Sequence, residues 1–322
     1  MQYILSLSYG KDSLACLEAI KILELPLDRI VHAEVWATDT IPADLPPMVE
    51  FKKRADKIIK QRYGIEVEHI CALKAQGWVE ANKHTKECFI THCKKENLQE
   101  QSKDFRKLSA VGVKSSSLKQ TVLTYEDMFY RTSSGNKHNG QIYGFPIMKG
   151  QWCTNLLKTN VLNKITRSQT IQVERERERE RERESVQYLG IAADEPKRIE
   201  RHSKRSGIIL PLVEIGWTEE MCRKWCEDND LLSPIYTSSE RGGCWFCHNQ
   251  GVEQLRLLRK NYPEYWQLLL KWDKDSPVTF KADGHTVHDF DRRFQMEDEG
   301  LIISDAPFRW KMLDEPLQMR FF

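Results

Sequence analysis

The chain has 322 residues, enough for one large domain or for a nucleotide-binding domain with a smaller module. Its 49 basic and 47 acidic side chains nearly cancel, at a net charge of +2, so global electrostatics give no support to nucleic acid as a partner. No apolar run approaches the roughly 18 residues of a membrane span, and nine cysteines, an odd number, favour thiols, metal ligation or redox chemistry over a disulfide framework. The N-terminus reads directly into a strand, without a basic and apolar leader, which predicts a cytoplasmic protein with no membrane attachment.

Residues 2–7, about 30–37 and about 65–72 read as apolar strands, with helices near 12–25 and 46–62 between them. That alternation predicts an α/β fold, a doubly wound parallel sheet covered on both faces. The first connection is the most informative. Tyr3 to Leu7 runs straight into Ser8-Tyr9-Gly10-Lys11-Asp12-Ser13, and Leu14, Leu17, Ile20 and Leu23 then mark the inner face of a helix. Gly10 can take a positive φ and let a ligand approach the backbone, while Ser8, Ser13 and the free amides at the helix start offer donors to an anion. Such a loop can cradle phosphate, although its spacing is neither that of a Walker A loop nor that of the dinucleotide Gly-x-Gly-x-x-Gly turn. A strand-turn-helix with ordinary caps is the plainer alternative. Asp39 falls just past the second strand, at the carboxyl edge where open α/β sheets bind ligands.

Residues 84–140 are polar and lysine-rich and read as an insertion, the expected place for a mobile lid. Within it His84, Cys88 and His92 are four apart, with Cys93 beside them, but a lysine-flanked surface helix explains them better than a metal site. From Glu174 to Glu184 glutamate and arginine alternate strictly. Neither a helix nor a strand of that pattern buries anything, so the tract reads as a solvated insert, of the kind a slipped GA repeat encodes. After it, Gly190 closes a strand, and Asp194 and Glu195 follow beside Lys197, Arg198 and Arg201. A basic cluster beside a nucleotide cradle suits a polyanion; a surface ion-pair patch is the alternative.

Cys153 stands at the start of a helix, Cys226 late in an amphipathic segment, and Cys244-Trp245-Phe246-Cys247 follows Arg241-Gly242-Gly243. A Cys-x-x-Cys turn directs two thiolates at one ion, and two distant cysteines can complete a four-sulfur shell; spacing alone does not separate zinc from an iron–sulfur cluster. Cys222, one turn before Cys226, and His248 compete for the fourth position. Tyr262, Tyr265, Trp266, Leu269 and Trp272 keep helical spacing after Pro263 and read as core, and His285 and His288 as structural.

The Ser8–Ser13 segment resembles the PP-loop of the ATP pyrophosphatase superfamily, Ser-Gly-Gly-x-Asp-Ser, with Tyr9 in place of its first glycine. Trp152-Cys153-Thr154 with Leu157-Lys158, the run Gly190 to Arg198, Pro211 to Glu214, Trp217-Thr218-Glu219, Cys226 and Arg241 to Cys247 extend the likeness. Together they resemble the phosphoadenosine phosphosulfate (PAPS) reductase-like family, in its bacterial and phage forms, over nearly the whole chain outside the two inserts.

The resemblance implies a PP-loop nucleotide-binding domain over 1–215 and a smaller helical, cysteine-containing module over 216–322. It implies ATP or a PAPS-like adenine nucleotide held by Ser8, Tyr9, Gly10, Lys11, Asp12, Ser13, Gly190, Asp194 and Arg198, with Mg²⁺. Lys11, Asp12 and Asp39 would be catalytic in an adenylyl-dependent, sulfur-related transfer. It implies Cys153, Cys226, Cys244 and Cys247 as ligands of a 4Fe–4S cluster or zinc, and a sulfur donor such as a cysteine desulfurase, or a thiol reductant, as partner. Assimilatory reductases of similar sequence carry a catalytic cysteine in a C-terminal tail, whereas no cysteine follows Cys247 here. The alternatives are a PAPS or adenylyl-sulfate reductase using an external thiol, a DNA-modification sulfur-transfer protein, and a non-catalytic nucleotide-binding module with structural zinc.

Overall fold

Five short strands form one sheet: β1 (Gln2–Ser6), β2 (Arg29–Glu34), β3 (Val67–Cys71), β4 (Ser185–Tyr188) and β5 (Ile208–Ile209). Their order is β3-β2-β1-β4-β5 and every pairing is parallel, with Leu5 opposite both Ile30 and Tyr188. The chain therefore steps outward from β1 to β3, then returns to the other side of β1. The reversal lies between β1 and β4, and in open parallel sheets the carboxyl ends of the strands flanking such a reversal open a crevice. The computed structural model describes residues 1–74, 122–132, 140–147, 151–163, 165, 185–237, 243–302 and 308–313. The chain divides into two units, 1–127 with 152–244 and 128–151 with 245–322.

In the first unit, α1 (Lys11–Ile22) and α2 (Pro46–Tyr63) follow β1 and β2. Pro46 and Pro47 open α2, where the missing amide hydrogens cost nothing, and Gly64 ends it at φ 72, a left-handed cap that glycine takes without strain. Leu14, Leu17 and Ile20 of α1 and Phe51, Ala55 and Ile59 of α2 pack in one cluster with Leu5, Ile30 and Tyr188 of the sheet. Each such large aliphatic or aromatic side chain contributes roughly 1.5–3 kcal/mol by leaving water. Later helices of this unit include α4 (Trp152–Thr154), continued by a π-helical turn over Asn155–Thr159, then α5 (Pro196–Ser203), α6 (Pro211–Glu214) and α7 (Glu219–Asp228). Cys222 and Cys226 of α7 join the same core cluster.

The second unit is built on α8 (Val252–Asn261), α9 (Pro263–Asp275) and α10 (Val287–Asp298). Thr286 and Asp289 cap α10 reciprocally, the Asp289 amide donating to the Thr286 hydroxyl at 3.1 Å and the Thr286 amide to the Asp289 carboxylate at 2.8 Å. Trp266, Leu269 and Trp272 are buried as their spacing predicts. His288 bonds Asp273 at 2.5 Å and His285 stacks on Trp310, both structural roles.

Two boundaries differ from the sequence reading. The first unit runs on to Cys244, past residue 215, because α6 and α7 pack on α1 and share its apolar core. Residues 122–132, inside the stretch read as an insertion, carry a packed helix, α3 (Tyr125–Phe129), with Tyr125 and Phe129 buried. Its first turn is tied by Thr124 and Asp127, and Asp127 pairs with the buried Lys74 at 2.8 Å. The rest of that stretch through residue 121, with His84, Cys88, His92 and Cys93, lies outside the described residues, as do 133–139, the Glu-Arg tract, Arg241 and Gly242.

Candidate functional site

The loop leaving β1 and the loop leaving β4 meet at the sheet reversal. Their closeness is enforced at Gly190, where a Cβ would lie 2.6 Å from the Asp12 carbonyl oxygen and 2.6 Å from the Ser13 Cα. Only glycine fits there. At Gly10, by contrast, a Cβ would meet nothing nearer than 3.4 Å, and its φ is −76°, an ordinary extended value. The left-handed residue of the loop is Tyr9, at φ 58. The expectation of a positive φ at Gly10 is thus displaced by one residue, onto a bulky side chain that is fully buried.

Ser8 and Ser13 close the loop on itself. The Ser8 amide and hydroxyl donate to the Ser13 Oγ at 3.2 and 3.0 Å, and the Ser13 hydroxyl lies 3.0 Å from the Gly10 carbonyl. The Lys11 amide, first of α1, donates to the Tyr236 hydroxyl at 3.2 Å. The Lys11 ammonium sits 3.1 Å from Asp12 and 2.8 Å from Glu219. Burial pulls its pKa down, but the bonds to Glu219 and Asp12 outweigh burial and the net shift is upward. Burial also raises the pKa of Asp12, partly offset by Lys11. Asp12, Glu195 and Glu219 bring carboxylate oxygens within 4.8 Å of one another. Glu195 is held by the Ala192 amide and by Arg198, and Asp194 accepts from the Glu219 amide at 3.0 Å. Lys11, Asp12, Gly190, Asp194 and Arg198 thus belong to one place. Asp39 lies in the loop after β2 and is not a member of the carboxylate group.

A second polar cluster lies under Tyr9. His32 and His69 are register partners on β2 and β3. The His32 Nδ1 meets the Leu7 carbonyl at 2.7 Å, and its Nε2 meets the Lys52 ammonium at 2.7 Å; Lys52 also bonds Asp44 at 2.5 Å. His69 bridges Glu34 at 2.8 Å and Asp56 at 2.9 Å, and the Tyr9 hydroxyl bonds Asp56 and approaches His69 at 3.1 Å. Burial and the neighbouring Lys52 hold His32 neutral, well below its ordinary pKa. Burial acts the same way on His69, but hydrogen bonds to Asp56 and Glu34 overcome it and raise its pKa to about 9. Glu34, His32 and His69 also fall within 4.8 Å of one another, with Lys52 and Asp56 already bonded to the two imidazoles.

The cysteines are placed differently from one another. Cys153 is half-buried in α4; Cys226 is buried in the core, its thiol donating to the Lys11 carbonyl at 3.4 Å and its pKa pushed to about 12 by burial. Cys222 is buried beside it, likewise raised to about 12 by burial. Cys244 is half-buried at the end of the first unit, and Cys247 half-buried in the second. Among the described residues of the first unit, no cysteine belongs to a group of three ligand atoms within 4.8 Å. In the second unit the Lys281 ammonium pins the turn after Cys247, bonding the carbonyls of His248 at 2.6 Å and Gln250 at 2.5 Å. The Nδ1 of His248 there is buried with no hydrogen-bond partner among the described residues.

Glu219, Tyr236, His32, Lys52 and His69 were not picked out as site residues from sequence. For the histidines a signal existed: Ile30-His32 and Val67-His69-Cys71 put polar side chains at strand positions whose alternation calls for apolar ones. Comparison of the chain with protein-family models, with curated proteins and with solved structures finds no match.

Proposed function

We propose that the chain is a PP-loop enzyme of the PAPS reductase-like kind, which binds ATP or a related adenylyl nucleotide at the sheet reversal and transfers its adenylyl group. The observation that carries this reading is the meeting of the Ser8–Ser13 loop, the amide end of α1 and Lys11 with the Gly190 loop at the carboxyl ends of β1 and β4. First-turn amides of a helix have no intrahelical acceptor and attract phosphate, and Lys11 adds a full positive charge. In the transfer, an acceptor oxygen bonds the α-phosphorus, the α–β bridging bond breaks, and pyrophosphate leaves with the electron pair. Such a step depends on positioning and charge neutralisation, which Lys11 and the loop amides supply.

Mg²⁺ fits the oxygen-only set Asp12, Glu195 and Glu219. When bound, it would neutralise phosphate charge beside Lys11. The cysteines and a sulfur-related acceptor complete the reading as proposals, with an iron–sulfur cluster and zinc distinguished by an anaerobic absorption spectrum.

Calorimetry with Mg·ATP, AMP and PAPS, together with ATP–pyrophosphate exchange, tests the proposal. Binding of Mg·ATP, lost by at least about tenfold in Lys11→Ala, and measurable exchange are expected. Binding of PAPS alone would move the reading to a reductase using an external thiol; binding of none of the three would overturn it.

A further inference from the structure

We infer that Tyr9 is a positioning residue of the phosphate loop: its side chain moors the loop to the buried network of His69, Asp56, Glu34, His32, Lys52 and Asp44. The inference deepens the proposed function and rests on it only for the ligand.

The backbone at Tyr9 is the first ground. An L-residue at φ 58 costs roughly 1–2 kcal/mol, and a bulky one stays there only when its surroundings hold it. Those surroundings are present. The ring is fully buried, edge-on to His32 at 4.8 Å, with the Lys52 ammonium 5.3 Å from its centroid. The hydroxyl bonds Asp56 and lies 3.1 Å from His69. The loop's shape is thus set by a side chain reaching down into three elements, β2, α2 and β3, and by no glycine within it. One residue further on, Gly10 caps α1, and Lys11 is its first residue.

Charge gives the second ground. Facing Tyr9 and His69 are Asp56 and Lys52 from α2, Glu34 and His32 from β2, Asp44 from the loop before α2, and Lys158 from the turn after α4, which acts on His32. Three carboxylates are set against Lys52 and a protonated His69, so the mooring depends on that proton. As pH rises through about 9, His69 loses it, Asp56 and Glu34 repel, and the hold on the Tyr9 hydroxyl weakens. Lys11 does not titrate in this range, its pKa being raised above its ordinary value.

The test uses the full chain and two variants, Tyr9→Phe and His69→Gln, each first checked for folding by far-UV circular dichroism. Amide hydrogen exchange without ligand is read at residues 8–13 and in the middle of α1. Exchange of the loop amides should speed up by about tenfold in both variants while Leu17 and Ile20 stay protected; unchanged loop exchange in both would overturn the inference. Affinity for Mg·ATP should fall about tenfold in Tyr9→Phe at neutral pH, and in the parent chain should fall as pH passes about 9, a limb absent from His69→Gln. If the limb persists in His69→Gln, the network does not govern the loop. Should the parent bind no Mg·ATP, the nucleotide proposal fails while the exchange result still decides the mooring.

Discussion

Two ionic clusters flank the same six-residue loop, and they differ in how their partners meet water. Above the loop, Lys11, Asp12 and Glu195 are mostly covered, but their partners Glu219 and Arg198 stand in water, 47% and 51% exposed. Below it, Lys52, His32 and Tyr9 are buried, and the carboxylates that hold them, Asp44, Asp56 and Glu34, are about a quarter exposed at the cluster's edge. Exposed pairs contribute little to stability and rearrange easily, which suits a place where an anion must displace a carboxylate from Lys11. Buried pairs have lost their hydration and tolerate no missing partner. The upper cluster is therefore the one the proposed nucleotide would rearrange, and the lower cluster the one whose buried Lys52 and His32 depend on their partners.

The contrast breaks most directly at Lys52. Lys52→Ala strands Asp44 and leaves the His32 Nε2 without its donor, and should cost about 3–5 kcal/mol. Lys11→Ala in the upper cluster should cost less, because Glu219 is already in water and the raised pKa of Asp12 lets it take up a proton. Urea denaturation of both variants decides it; equal costs would mean the two clusters do not differ in kind.

The next effect is one of pH. The folded pKa of His69, about 9, lies above its unfolded value near 6.5, so its contribution is fully present below about 6.5 and is lost as pH rises through 9. Unfolding free energy should fall by about 2–3 kcal/mol across that window. His69→Gln should flatten the slope. A parent chain equally stable at both ends of the window would show that His69 carries no charge in the fold.

Gly190→Ala probes the junction where the two loops meet. The added methyl meets backbone atoms of Asp12 and Ser13 at 2.6 Å, contacts no side-chain rotation can relieve, and about 1–3 kcal/mol of destabilisation is expected. Mg·ATP affinity should fall with it, because the displaced atoms belong to the first turn of α1. Gly10→Ala, with no contact under 3.4 Å and an extended φ, is the matched control and should retain the parent's stability within about 0.5 kcal/mol.

The sheet and the strand–loop–helix at its first connection were legible because local rules specify them. Alternating strands and helices, prolines at the start of α2 and the strand–loop–helix at Ser8 all act within a few residues, and β1, β2, β3 and the first two helices fall within a few residues of expectation. What was not legible depends on partners far apart in sequence. Glu219 reaches Lys11 across 208 positions and Tyr236 across 225, and neither stands in a local pattern that announces it. Tyr9 was visible as a departure from a glycine-rich loop, but its mooring to Asp56 and His69 requires knowing that β2 and β3 are neighbours. The placement of Cys226 shows the same limit. Cys226 was a weaker ligand candidate than the Cys244–Cys247 turn, and only the packing of α7 on α1 puts its thiol against the Lys11 carbonyl.

The smallest effect is the most discriminating for the upper cluster, because its sign is unusual. Burial raises the pKa of Asp12 above the ordinary carboxylate value, so the ionised form is held at a cost in the fold, and stability should rise slightly as pH falls through that pKa. Replacing the carboxylate by its neutral isostere removes that cost and also removes repulsion from Glu195 and Glu219. It forfeits the attraction to Lys11 at 3.1 Å, but Lys11 keeps its bond to Glu219 at 2.8 Å and the Asn amide oxygen can still accept from it. Asp12→Asn should therefore be as stable as the parent or more so, by up to about 1 kcal/mol, while losing Mg·ATP affinity by at least about tenfold. A gain in melting temperature with a loss of binding is what a site held for its ligand predicts. A loss of both would mean that Asp12 supports the fold through Lys11, and the upper cluster would then join the lower one as structure.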